Sequence, residues 1–106
     1  MYIHSQGEFE KEIKDADFVL VDFFADRCGP CQMVSPILEE LAKKKNNWKI
    51  LKVNIDENED LARQYEVMSI PAMFYFYKGE KREEEIWAMP LEEIEKIMEE
   101  IEKKSL

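Results

Sequence analysis

Apolar side chains follow two rhythms along this chain, one nearly continuous and one with the spacing of a helix face. Phe18-Val19-Leu20-Val21-Asp22-Phe23-Phe24 is an almost unbroken β-branched and aromatic run. Such a run suits a strand covered on both faces, as in a sheet flanked by helices. From Pro30 to about Lys45 the rhythm changes. Val34, Ile37, Leu38 and Leu41 recur at i, i+3, i+4 and i+7, which makes one stripe of a helix. Pro36 inside it should kink it, and Lys43-Lys44-Lys45 end it favourably against the dipole. Ile50–Ile55 predicts the next strand, Asp56-Glu57-Asn58 leads into a short helix around Glu59–Tyr65, and Ala72–Tyr77 is another apolar strand. Lys78-Gly79 turns the chain into Lys81–Trp87, whose charge suits a sheet edge, where it discourages unwanted pairing. Pro90 opens a last amphipathic helix with Leu91, Ile94, Ile97, Met98 and Ile101 on one side. At the start, Tyr2-Ile3 reads as a short strand. Ser5-Gln6-Gly7-Glu8 has the form of a capping box, opening a helix with Phe9 and Ile13 inward. The order β-α-β-α-β-α-β-β-α is that of an α/β protein with about five strands and four helices.

Length and charge narrow the picture. The 106 residues hold one core, so residues 1–106 are expected to form one domain. No apolar run approaches the roughly 18–20 residues that span a bilayer. Met1 to Glu8 lacks a basic start followed by an apolar stretch, which argues for a cytoplasmic protein. With 15 basic and 24 acidic residues, the net charge of −9 disfavours nucleic acid and anionic membranes as partners. Abundant Lys and Glu with only three Gln and four Asn suit either a heat-adapted or simply a highly soluble protein.

The two cysteines, Cys28 and Cys31, carry the most information. A disulfide-stapled secreted scaffold carries four or more, and a structural zinc site takes four ligands. His4, the other soft candidate, is far away in sequence, so a closed structural zinc site is not expected, and a pair that cycles between dithiol and disulfide needs no bound cofactor. Cys28 lies just after a buried strand, at the first turn of the next helix, with Pro30 close to its first position. Unpaired N–H groups and the dipole at a helix start stabilise a thiolate. Cys31 follows one turn later on the same face, further into the helix. Cys28 is therefore read as the attacking thiol and Cys31 as the resolving one. Two small core cysteines are the bland alternative.

Asp22 shares strand parity with Phe18, Leu20 and Phe24. A carboxyl on that face is desolvated, which raises its pKa towards the range in which it can take a proton from Cys31; the alternative is an Asp at the strand's solvent end. Lys52 interrupts the next strand and becomes a partner for Asp22 if the two strands are neighbours; otherwise it faces solvent. Pro71, before Ala72, reads on its own as an ordinary trans strand start.

Val21-Asp22-Phe23-Phe24-Ala25-Asp26-Arg27-Cys28-Gly29-Pro30-Cys31 resembles the active-site motif of the thioredoxin family, V-D-F-W-A-x-W-C-G-P-C. Lys52-Val53-Asn54-Ile55-Asp56 looks like the family's K-x-N-x-D strand end, Val67 to Ala72 like its V-x-x-I-P-T loop, and Lys78-Gly79-Glu80 like its hairpin. The resemblance covers essentially the whole chain. It implies a thioredoxin fold, a central mixed sheet flanked by four helices. It implies Cys28 as nucleophile, Cys31 as resolving thiol and Asp22 as proton acceptor with Lys52 beside it. It also implies a cis Ile70–Pro71 peptide near the pair, with Ile70 offering its backbone to a substrate.

Three departures bear on partner choice. Arg27 stands where the family usually has Trp, Ala72 replaces a common Thr, and Trp87 stands where a Gly commonly lets substrate approach. Arg27, Ile70, Ala72, Trp87 and Ala88 are the expected substrate groove. Retained Gly29-Pro30 favours a reducing protein. The sequence thus points to a thiol–disulfide oxidoreductase, a monomer acting on disulfide-containing client proteins, and the resemblance implies a thioredoxin reductase as its electron donor. The competing reading is a non-catalytic binding or assembly module that uses the same groove.

Overall fold

Alternation along the central strand divides the core into two layers. In the computed structural model, which describes residues 1–105, β1 (Phe18–Phe24) sits in a four-stranded sheet of order β2-β1-β3-β4. β2 (Trp48–Asn54) runs parallel to β1. β3 (Ala72–Tyr77) is antiparallel to β1, and β4 (Glu80–Glu85) is antiparallel to β3. Val19, Val21 and Phe23 face one layer, with Phe74 and Phe76 of β3, beneath α1 (Gln6–Asp15) and α3 (Glu59–Gln64). Leu20 faces the other layer, with Met73 and Tyr75, beneath α2 (Gly29–Lys44) and α4 (Leu91–Lys104). Because both faces of β1 are covered, five consecutive residues, Val19 to Phe23, are buried. That is why no polar position breaks the run except Asp22.

The connections follow from local chemistry. Ser5 caps α1, its hydroxyl accepting from the Glu8 N–H at 3.1 Å, while the Glu8 carboxylate accepts from His4 N–H at 2.7 Å. α2 is the crossover that a parallel β1–β2 pair requires, and it runs as one helix through Pro36. Lys78 and Gly79 both take positive φ (49° and 84°) and make the two-residue turn between β3 and β4. At the far end, the Glu102 carboxylate accepts from Trp48 Nε1 (2.6 Å), Lys45 Nζ (3.2 Å) and Asn47 Nδ2 (3.3 Å). Burial alone would raise the Glu102 pKa, but these hydrogen bonds together outweigh it and hold the carboxyl below its usual range. They tie the C-terminal helix to the start of β2.

The sheet has four strands rather than about five. Tyr2 makes only an isolated bridge to Lys52, with Ile3 N–H donating to Lys52 O (2.9 Å) and Lys52 N–H to Met1 O (2.8 Å). Ser5 then starts α1, so the pairing has no length to grow. β4 stops at Glu85, opposite Met73, rather than reaching Trp87. Carried two residues further, the register would set Trp87 against Pro71, which has no N–H to donate. β4 is a charged edge, as expected. Lys81 Nζ lies 5.0 Å from the Phe74 ring and the Arg82 guanidinium 5.3 Å from the Tyr77 ring, so cationic side chains of β4 lie against aromatic rings of β3.

Candidate active site

β1 delivers the chain to the sheet's C-terminal edge, where the turn closed by Cys28 N–H to Ala25 O (3.1 Å) aims it into α2. Cys28 is the N-cap of that helix, and its Sγ accepts from the Cys31 N–H at 3.1 Å. Cys28 and Cys31 form a disulfide with Cα atoms 5.3 Å apart. Both are buried, Cys31 (3 % exposed) more than Cys28 (8 %). The sulfur pair therefore lies on the unpaired N–H groups of a helix start, the environment that favours a thiolate once the disulfide opens. A Cβ built on Gly29 would meet nothing within 4 Å, so the surface beside Cys28 is open.

Ile70 reaches this pair from a distant part of the chain. It packs against the cluster of Ala25, Cys28 and Cys31, and its peptide to the buried Pro71 is cis.

Behind the disulfide lies a cavity of about 100 Å³ lined by Asp22, Cys31, Ser35 and Lys52, with Tyr2 and Phe24 as its aromatic walls. Asp22 is 2 % exposed, and its Oδ1 has no hydrogen-bond partner among the described residues. Burial pushes its carboxyl up to about 7, against the Lys52 ammonium, which favours the carboxylate. Asp22 and Lys52 are register partners on β1 and β2. Lys52 does not face open solvent: its Nζ donates to Ser35 Oγ at 2.7 Å and lies 5.6 Å from the Tyr2 ring.

The expected groove residues are placed unevenly. Arg27 is turned to Asp56, its Nη2 3.4 Å from Oδ1, with both side chains more than half exposed. Trp87 is 63 % exposed and Ala88 is also exposed, just past the end of β4. Ala72 is buried in the layer under α1 and α3, so its side chain belongs to the core rather than to the surface. Sequence reasoning missed Ser35 and Tyr2. Ser35 had a usable signal, since it lies four residues after Cys31 and so shares its helix face. Tyr2 had none, because only the bridge to Lys52 brings it to the cavity. No group of three or more His, Cys, Asp or Glu is arranged to hold a metal among the described residues, and no helix there is long and apolar enough to cross a membrane.

Comparison with known proteins places this arrangement. A family profile described as Thioredoxin matches residues 1–100. The chain is 43 % identical over 84 residues to the thioredoxin of Rickettsia felis, covering 77 % of this chain and 80 % of that one. It is 42 % identical over 88 residues to thioredoxin 1 of a Nostoc species, covering 81 % and 82 %. Among solved structures, a mutant thioredoxin from Halobacterium salinarum superposes with a TM-score of 0.90 at 36 % identity, covering 94 % of this chain and 88 % of that one. The oxidised form of mitochondrial thioredoxin 3 from Saccharomyces cerevisiae superposes at 0.88 and 29 % identity, covering 94 % and 93 %.

Proposed function

Since the chain belongs to the thioredoxin family and is a thiol–disulfide oxidoreductase with a redox-active disulfide, we propose that it works as a reductant of client-protein disulfides. The observation that carries this reading is the Cys28–Cys31 disulfide at a helix N-terminus, with the Asp22 carboxyl in the cavity behind Cys31. In the reduced protein the Cys28 thiolate attacks one sulfur of a client disulfide. A Cys28–client bond forms, the client's own bond breaks, and the departing client thiolate takes up a proton. Cys31 then gives its proton to Asp22 and attacks Cys28 Sγ. The Cys28–Cys31 disulfide forms, and the second client thiolate leaves with the proton returned by Asp22. Two electrons pass from the cysteine pair to the client, and a thioredoxin reductase restores them.

Each remaining residue has a part in this scheme. In this scheme the open surface beside Gly29 admits the client backbone, Ile70 offers its own backbone to it before the cis Pro71, and Trp87 and Ala88 are read as the rest of the client groove. No bound cofactor or metal is needed, since the cysteines carry the electrons. We read residues 1–106 as one domain, acting as a cytoplasmic monomer. Insulin reduction by dithiothreitol tests the function. The protein should accelerate precipitation of the freed B chain, and Cys28→Ser should not. A wild-type protein without effect would leave the binding-module reading in its place.

Arg27 sets the charge at the edge of this groove. A rim cation steers encounters more than it strengthens the bound state, and Asp56 shares part of its field. Arg27→Trp is expected to reduce the preference for peptide disulfides flanked by acidic residues over neutral ones by roughly two- to fivefold at low salt, with little change at high salt. Paired reduction rates at two ionic strengths measure this. An unmoved ranking at low salt assigns Arg27 no part in client choice.

A further inference from the structure

Lys52 and Asp22 are opposite charges side by side on neighbouring parallel strands, so a direct ion pair is the contact elementary electrostatics leads one to expect. Lys52 does otherwise. Its Nζ donates to Ser35 Oγ at 2.7 Å and lies 5.6 Å from the Tyr2 ring centroid, while Asp22 Oδ1 has no hydrogen-bond partner among the described residues. A neutral hydroxyl and an aromatic face thus hold the ammonium inside the cavity without delivering it to the carboxylate. Ser35 stands one helical turn beyond Cys31 and lines the same cavity. Building on the reading of Asp22 as the proton acceptor, we propose that Ser35 is a positioning residue whose hydroxyl holds the Lys52 ammonium off Asp22 and so keeps that carboxyl available to take the proton of Cys31.

Distance decides the size of the effect. In a poorly solvated cavity the attraction between unit charges is weakly screened and rises steeply as they approach. A cation at ion-pair distance stabilises a carboxylate enough to lower its titration midpoint by about 1–3 pH units. An Asp22 paired in that way would already be ionised well below neutrality and would hold its proton too weakly to exchange with a thiol. Lys52 has a flexible four-carbon stem, so a single hydrogen bond decides where its charge rests.

Other groups around Asp22 do not substitute for it. From β3 the register partner is Met73, which is neutral. From α2 the cavity receives Cys31, Gln32 and Ser35. Asp26 lines the mouth as an exposed anion, and Tyr2 contributes a phenol. The Met1 ammonium donates to Ile50 O at 3.0 Å, and its pKa is lowered by burial and by Lys52. Lys52 is therefore the cation that a lost Ser35 hydroxyl releases towards Asp22.

The test follows the Asp22 carboxyl carbon by NMR against pH in the oxidised protein. Ser35→Ala should lower the Asp22 midpoint by about one pH unit, and Ser35→Thr, which keeps a hydroxyl, should restore it. In a Lys52→Met background the same Ser35→Ala change should move nothing. Equal midpoints in wild type and Ser35→Ala, or an equal drop with Lys52 absent, would overturn the proposal. Resolution of a preformed Cys28 mixed disulfide, timed against pH in the same variants, separates this from the mechanism it builds on. A resolution profile that moves with the midpoint supports both. A midpoint that moves while the profile stays still supports the hold on Lys52 and overturns Asp22 as the acceptor.

Discussion

Cys31→Ser should leave the protein able to attack clients and unable to let them go. In the mixed disulfide the resolving sulfur is held on the same helix turn as Cys28, with Cα atoms 5.3 Å apart in the disulfide. Intramolecular attack of that kind has effective concentrations far above those of any free thiol. Removing it should lengthen the lifetime of the Cys28–client bond at least about a thousandfold at millimolar external thiol. Mass spectrometry of captured adducts should then find clients on Cys28. Cys28→Ser should capture none, because Cys31 is the more buried residue, at 3 % exposure against 8 %. Adducts found on Cys31 in the wild-type protein, or capture by the Cys28→Ser variant, would exchange the two roles.

The second large effect is on stability and has a pH signature. The Asp22 carboxyl is pushed from its ordinary value of 3.8 up to about 7 by burial. Between those values the folded protein holds a proton that the unfolded chain has released. Stability therefore falls as pH rises through this window, and the loss is complete above about pH 7. At about 1.4 kcal/mol per pH unit, three units amount to a penalty on the order of 4 kcal/mol. Asp22→Asn removes the ionisation and keeps a neutral polar group of the same shape. It should match the wild type near pH 4, gain steadily to pH 7, and stay more stable by on the order of 4 kcal/mol above it. Denaturant unfolding of the oxidised proteins from pH 4 to 9 measures this directly. The same variant should slow mixed-disulfide resolution at neutral pH at least about tenfold, as loss of a general base does. Equal stability at pH 8 together with an unchanged resolution rate would make Asp22 a solvated bystander.

These two predictions rest on features of different legibility. The disulfide is a local feature. A buried strand, a four-residue turn and a helix with Pro30 in its first turn are contiguous, so spacing alone set the two sulfurs on one turn. Parity along β1 likewise put Asp22 on the face of Leu20. The charged edge strand was legible because Lys81, Arg82 and Glu83–Glu85 offer no apolar face to bury. Elements failed at their ends, where pairing depends on the partner. Tyr2 has one bridge and no neighbour to extend it, and β4 stops where Pro71 lacks a donor. Ala72 was placed in the groove by the resemblance of its loop, and alternation across the sheet turns its side chain into the core.

By itself, the sequence determined the α/β class, the cysteine pair at a strand-to-helix junction and one carboxyl on a buried face. Each of these is set by residues within a few positions of one another, through propensity and periodicity. Only the tertiary structure decided what surrounds them. It brought Lys52 beside Asp22 through the β1–β2 register, Ile70 against the sulfurs through the loop before β3, and Arg27 to Asp56 across 29 positions. It also chose Ser35 over Asp22 as the partner of Lys52. Contacts of that kind join segments far apart in the chain. No local period encodes them, and the packing of two helices on each face of one sheet does.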